Sequence, residues 1–295
     1  MIQYLYLGRI GYAEALRLQE ELVALRIEGR IGNILLLLEH PPVLTLGRNA
    51  KQANIVASRE LLERRGVTVH EINRGGDVTY HGPGQLVGYP IFDLRSLRSA
   101  ALDPAGSSGR VGPVDFVRHM EEALIRLCAG FGVAAGRVPG LTGVWVGVAT
   151  PAERPPSQPA LQSPSKTPPP GRERKIAAIG IHVSRGVTSH GFAFNVTTDL
   201  RDFQLIVPCG ITDRPVTSLE LEIARLGPNP APLPSLEAIA EQTARHFGQV
   251  FGEPVERLAS LDVLRTAITP GNDTPLEIPA DIQRLRGAKD PPIPA

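Results

Sequence analysis

A cysteine held between proline and glycine, in Val207-Pro208-Cys209-Gly210-Ile211, is the residue best suited to nucleophilic chemistry in this chain. The flanking residues put the sulfur on a bend with little side-chain bulk beside it, where a thiolate can act as a nucleophile. The alternative is a loop thiol of no consequence. Cys128 has the opposite setting: it lies beside the apolar stripe of an amphipathic helix and reads as a small, inert core residue.

Three further segments carry chemistry-bearing side chains. Arg74-Gly-Gly-Asp-Val-Thr-Tyr-His-Gly-Pro-Gly-Gln85 sets four glycines and a proline among aromatic and charged residues. A solvent turn has no need of Tyr80 and His81, whereas glycines let a backbone approach a ligand and present its N–H groups. The competing reading is a long hairpin turn with structural glycines. Lys175-Ile-Ala-Ala-Ile-Gly-Ile-His182 opens a strand with a lysine and continues with small residues that leave room for something; alternatively, Lys175 is a solvated strand end. In Thr188-Ser-His190-Gly-Phe-Ala-Phe-Asn195, polar His190 and Asn195 interrupt an apolar strand and need partners. His81, His182, His190 and Cys209 could in principle surround a zinc, but they lack CxxC, HxxxH or HExxH spacing, so no metal site is assigned. No GxxxxGK[ST] loop occurs.

Composition narrows the classes. The 295 residues carry a formal net charge of +1, which gives no basic field for nucleic acid. The longest aliphatic run is residues 34–38, and the N-terminus lacks a basic segment followed by an apolar one, so the expectation is a chain that neither spans a membrane nor is exported, acting in the cytoplasm. Two cysteines are too few for a disulfide framework or a four-thiolate metal site.

The elements that must position these residues follow from periodicity. Helices are expected at 11–25, 58–65 (capped by Ser58), 115–130 and 235–251. Strands are expected at 34–39, 43–46, 67–72, 86–92, 143–148, 175–184 and 187–196, the last two joined by a tight Arg185-Gly186 turn. Residues 149–174 are proline-rich and polar, and are expected to form a disordered insert between two strands; the tail beyond about 267 is expected to be loose as well. The remainder is one domain, a mixed sheet flanked by helices.

Taken in order, Pro41-Pro-Val-Leu-Thr-Leu-Gly-Arg48, the 74–86 segment, Lys175-Ile-Ala-Ala-Ile-Gly180, His190-Gly-Phe-Ala-Phe-Asn195 and Pro208-Cys-Gly-Ile211 resemble the lipoyl(octanoyl) transferase family. The resemblance runs through nearly the whole chain up to about residue 220. It implies an α/β mixed-sheet fold of the kind shared with biotin and lipoate protein ligases, as one catalytic domain over 1–265 interrupted at about 149–174 and followed by a tail, 266–295. It implies transfer of an octanoyl group from octanoyl-acyl carrier protein to a lysine of lipoyl domains of 2-oxoacid dehydrogenases and of glycine cleavage H protein, with no cofactor. Cys209 matches the acyl-thioester nucleophile and Lys175 the lysine that lowers its pKa. Three substrate-binding loops match: first Arg74, Gly75, Gly76, Asp77, Val78, Thr79, Tyr80 and His81; then Ala178, Ile179 and Gly180; and last Gly191, Phe192 and Ala193. Two rivals remain: an ATP-dependent ligase of the same fold, which needs no cysteine, and a non-catalytic acyl or carrier-protein binding module.

Overall fold

Five consecutive aliphatic residues, 34–38, can all be buried only if both faces of their strand are covered, and this condition organises the fold. The computed structural model describes residues 1–97, 111–148, 173–207, 214–228 and 231–266, with 268, 278 and 280. In chain order the elements are β1 (Ile2–Arg9), α1 (Tyr12–Ile27), β2 (Asn33–Glu39), β3 (Val43–Leu46), α2 (Arg59–Arg64), β4 (Thr68–Glu71), β5 (Val78–His81), β6 (Gln85–Ile91), α3 (Pro113–Gly130), β7 (Ala135–Val138), β8 (Leu141–Val146), β9 (Arg174–Ser184), β10 (Val187–Asn195), α4 (Leu219–Leu226), α5 (Leu236–Phe251), β11 (Val255–Arg257) and α6 (Leu261–Thr266).

Eight strands form one mixed sheet in the order β11-β1-β2-β6-β10-β9-β8-β7, parallel from β11 to β2 and antiparallel from β2 onward. Strand alternation divides the run in β2: Leu35 and Leu37 enter the core beneath α3 and α5, while Ile34, Leu36 and Leu38 enter a second core with α1. The first core includes Phe92, Phe116, Phe247 and Phe251; the second includes Ala15, Leu18, Leu22 and Leu25, the apolar face of α1. A separate three-stranded sheet, β4-β3-β5, packs α2 and the 3-10 turn Leu200–Leu205 against a third cluster.

Most sequence-derived elements occur within a few residues of their expected bounds. The Ser58 and Ser235 hydroxyls accept from the amides of Leu61 and Ala238 at the starts of α2 and α5, as N-caps do. Arg185 and Gly186, both at positive φ (48° and 88°), make the tight turn between β9 and β10. The unexpected elements are all short, eight residues or fewer. β1, β7, β11, α4 and α6 were not expected; β1 and β11 take their strand character from the parallel edge of the sheet. Residues 78–81, read as part of a glycine-rich loop, are strand β5. Arg174, placed at the end of the insert, belongs to β9, where its guanidinium makes two hydrogen bonds with Glu222 (2.9 Å each). Glu173 is described too, and residues 149–172 of the expected insert lie outside the described residues. So does most of the tail; of its described residues, Ile268 and Ile278 pack against the second core.

Candidate active site

Lys175 stands near the start of β9, and its strand forms one wall of a cavity of about 550 Å³. Ala178, Ile179, Gly180 and Ile181 continue that wall. His190, Gly191, Phe192 and Ala193 of β10 line the cavity beside them, and Arg74, Gly75, Gly76, Asp77, Thr79 and His81 line it from the 74–81 segment. Three stretches separated by up to a hundred residues therefore meet at one cavity. Gly180 makes the junction possible: a Cβ there would lie 2.6 Å from the Gly75 carbonyl oxygen, and the Gly75 amide donates to the Ile181 carbonyl at 3.0 Å.

Two of the sequence-derived binding residues do not line this cavity. Alternation along β5 turns Thr79 and His81 toward it and sends Val78 and Tyr80 into the third cluster, where Tyr80 packs on Phe203 and donates to Asp202 at 2.7 Å. Val78 and Tyr80 thus hold the segment in place. Several lining residues escaped the sequence reading: Tyr12, Asn49, Tyr89, Val117, Leu141 and Thr142. Tyr12 and Tyr89 sat in apolar segments as buried hydroxyls, a signal of the same kind as Asn195. Cys209 lies outside the described residues, and so do the residues on either side of it.

A directional hydrogen-bond chain supports the cavity. Asn195 Nδ2 donates to the Thr217 carbonyl (2.9 Å), which turns its Oδ1 toward Gln85 Nε2 (2.9 Å); Gln85 also donates to the Tyr80 carbonyl (3.2 Å). Gln85 Oε1 is therefore left to accept from His81 Nδ1 (2.8 Å). His81 Nε2 then carries no proton and accepts from the Thr45 hydroxyl (3.3 Å), whose oxygen accepts from Arg74 Nε and Nη2 (3.3 and 3.0 Å). This order requires a neutral His81. Burial, His40 and Arg74 all push in that direction, and its pKa falls to about 3 even though the Gln85 bond opposes the shift. His190 is likewise held neutral, by burial first and then by Arg74, His182 and His81, with Nε2 donating to Asn73 Oδ1 at 3.0 Å. Among the described residues, no group of three or more His, Cys, Asp or Glu is arranged to hold a metal ion.

Two expected results arise from these environments. His40, bonded to the Ile10 carbonyl and Tyr89, has a pKa lowered to about 4, mainly by burial. Above pH 6.5 the folded and unfolded chains both keep His40 and His81 neutral; below it the unfolded chain takes up protons that the folded chain cannot. Stability is therefore lost as pH falls from 6.5 toward 4 and 3. Each imidazole contributes up to about 1.4 kcal/mol per pH unit, so urea midpoints measured from pH 7 to 5 should drop steeply, and His81→Gln should flatten the slope. Cys128 is fully buried, and burial pushes its thiol up to about 12, with Glu222 adding to the effect. Cys128→Ser should leave octanoyl transfer unchanged while costing about 1–3 kcal/mol in denaturant titration, because the hydroxyl is buried among apolar side chains.

Comparison with known proteins agrees with the architecture. Residues 11–248 match the family model for the lipoyl protein ligase A/B catalytic domain. An octanoyltransferase of Acidobacterium capsulatum is 57% identical over 260 residues, covering 88% of this chain and 94% of that protein. An octanoyltransferase of Koribacter versatilis is 49% identical over 285 residues, covering 97% of both chains. Among solved structures, a lipoate-protein ligase A bound with ATP superposes with a TM-score of 0.57 at 16% identity, covering 91% of this chain and 94% of that one. The bipartite lipoate protein ligase of Thermoplasma acidophilum gives 0.56 at 15% identity, covering 91% and 92%. At such identities the structural likeness concerns the fold alone, whereas the sequence matches reach the activity: this chain belongs to the lipoyl(octanoyl) transferases of the lipoyl protein ligase A/B catalytic-domain family, acyltransferases that move octanoyl groups in protein lipoylation.

Proposed function

We propose that the octanoyl group comes from octanoyl-acyl carrier protein, rests on Cys209 as a thioester and passes to a lysine of a lipoyl domain of a 2-oxoacid dehydrogenase or of glycine cleavage H protein. The observation that carries this reading is Lys175 at the wall of a cavity that also takes in the 74–81, 178–181 and 190–193 stretches. The described residues on either side of Cys209 give further support. The Val207 amide donates to the Asn54 carbonyl (2.7 Å), and the Asn54 side chain donates to Asp77 in the cavity wall. On the other side, Val216 bridges to Lys175: the Lys175 amide donates to the Pro215 carbonyl and the Thr217 amide to the Lys175 carbonyl, both at 2.9 Å.

In the first half-reaction the Cys209 thiolate attacks the donor carbonyl. A new carbon–sulfur bond forms, the donor's breaks, and the Lys175 ammonium gives its proton to the departing carrier thiolate. In the second, the neutral amine of the acceptor lysine attacks the acyl-enzyme, and Lys175, now an amine, takes the surplus proton. The amide forms as the Cys209 thiolate leaves, and the ammonium–thiolate pair is restored. The donor thioester is already activated, so the cycle needs neither ATP nor a metal. A thiol of pKa about 8.5 lowered by about two units beside an ammonium is mostly thiolate at neutral pH, a gain of roughly 25- to 30-fold. The larger share of the acceleration then comes from positioning and from donors to the oxyanion. Burying the methylenes of an octanoyl chain along Ile179, Ile181, Phe192, Val117 and Leu141 contributes on the order of 5 kcal/mol, at about 0.8 kcal/mol per CH₂. On this reading residues 1–265 are the catalytic domain, 266–295 a tail, and the site of action the cytoplasm.

Intact-protein mass spectrometry after incubation with octanoyl-carrier protein, without ATP, tests the reading. The expected product is one hydroxylamine-labile octanoyl adduct. Transfer that appears only with ATP and free octanoate would replace it with ligase chemistry, and binding without turnover would reduce the chain to an acyl-binding module.

A further inference from the structure

The face of Trp145 lies against the Lys175 ammonium, with Nζ 4.7 Å from the ring centroid. Trp145 is the chain's only tryptophan and is 1% exposed, so the ring is withdrawn from water while Lys175, half-buried, keeps its side chain at the cavity wall. The two residues are partners across β8 and β9, immediately after a register shift between Val144 and Trp145. Gly143, one residue before the shift, has φ +121°; a Cβ there would lie 2.5 Å from the Ala177 carbonyl oxygen and 3.5 Å from Lys175 Cε. Its amide donates to Glu121 Oε1 at 3.0 Å, and Arg118 and Arg137 pair with that fully buried carboxylate. The local geometry of strand β8 is therefore anchored on α3.

We infer that Trp145 is a positioning residue for Lys175 that holds it in one place and sets its ammonium–amine balance in favour of the ammonium. The inference rests on the roles proposed above for Lys175 and Cys209. It gives the two half-reactions opposite needs: the ring favours the proton that acyl-enzyme formation spends on the departing thiolate, and it opposes the proton loss that amide formation requires. Among the described residues, the other charged groups near Lys175 and across the cavity have partners of their own. Arg174, its neighbour on β9, is paired with Glu222 of α4, which also holds Arg225 and is kept ionised by them against its burial. Arg214 lies beside Glu173 in the segment next to β9, and Glu121 is engaged from α3. Across the cavity, Asp77 accepts from Val78, Lys51 and Asn54, Arg74 donates to Thr45, and His81 and His190 are kept neutral by burial.

Trp145→Leu removes the ring face and Trp145→Phe keeps a smaller one. The measurements are the pH profile of acyl-enzyme formation from octanoyl-carrier protein and, separately, that of octanoyl release from isolated acyl-enzyme to an acceptor lipoyl domain. The acceptor lysine's own titration is common to all variants. Loss of the ring should disfavour the ammonium by about threefold to thirtyfold. In Trp145→Leu the alkaline limb of formation and the acid limb of release should therefore both move down by about 0.5 to 1.5 in pH, with Trp145→Phe between. Formation would slow at high pH while release quickens at low pH, a pair of opposite changes that a loosened fold would not produce. Limbs that stay in place while both plateaus fall, with the adduct still on Cys209, would overturn the role of Trp145 alone. Absence of an adduct on Cys209 in the wild type would overturn the reading of Cys209 and this inference with it.

Discussion

Cys209→Ser is expected to lower steady-state octanoyl transfer by at least about 10³-fold, the scale seen when a covalent nucleophile is removed. The chemistry is direct. A thiol near neutral pKa ionises beside an ammonium and exchanges with a thioester at little cost. A serine hydroxyl ionises far less readily, and the ester it would form is a poorer acyl donor to an amine. Intact mass should show no hydroxylamine-labile adduct in this variant, with a melting temperature close to wild type. Activity above a tenth of wild type, or a labile adduct on any other residue, would rule out Cys209 as the carrier.

Lys175→Ala should cost about 10²- to 10⁴-fold in transfer, the usual range for losing a positioned acid–base group. The Cys209 thiol should return toward about pH 8.5, so that alkylation by iodoacetamide at pH 7 slows by roughly an order of magnitude. Lys175→Arg separates the two roles. Guanidinium keeps the charge but does not give up its proton in this pH range, so alkylation should remain near wild type while octanoyl release to the acceptor falls as far as in Lys175→Ala. Equal alkylation rates in wild type and Lys175→Ala would remove the electrostatic role. Equal release in wild type and Lys175→Arg would remove the proton-transfer role.

Both expectations, like the Trp145 test, separate what the fold supplies from what the side chains do. The solved lipoate ligases superpose on this chain over nine-tenths of its length at 15–16% identity, so the same sheet accommodates widely different sequences. The reaction must then be decided by the few groups at the cavity.

The helices that pack on one face, α1, α3 and α5, and the strands that carry the Lys175 and His190 segments were legible in the sequence, because their apolar spacing depends only on local geometry. So was the set of motifs that meet at the cavity, and most of the residues in them line it. Tertiary structure decided the rest, for identifiable reasons. Whether Thr79 and His81 or Val78 and Tyr80 face the cavity depends on which side of β5 is covered, and a two-residue period alone cannot choose a side. β1 could not be recognised alone, since its strand character depends on β2 and β11, and β11 lies some 250 residues away. The protonation of His81 is dictated through Gln85 by Asn195 and Thr217, more than a hundred residues downstream. The ring beneath Lys175 comes from a strand on the far side of the proline-rich segment, brought opposite only by the register of β8 on β9. Local propensity acts over a few residues, whereas protonation, facing and charge balance are set by partners that only the folded chain brings within a few ångströms.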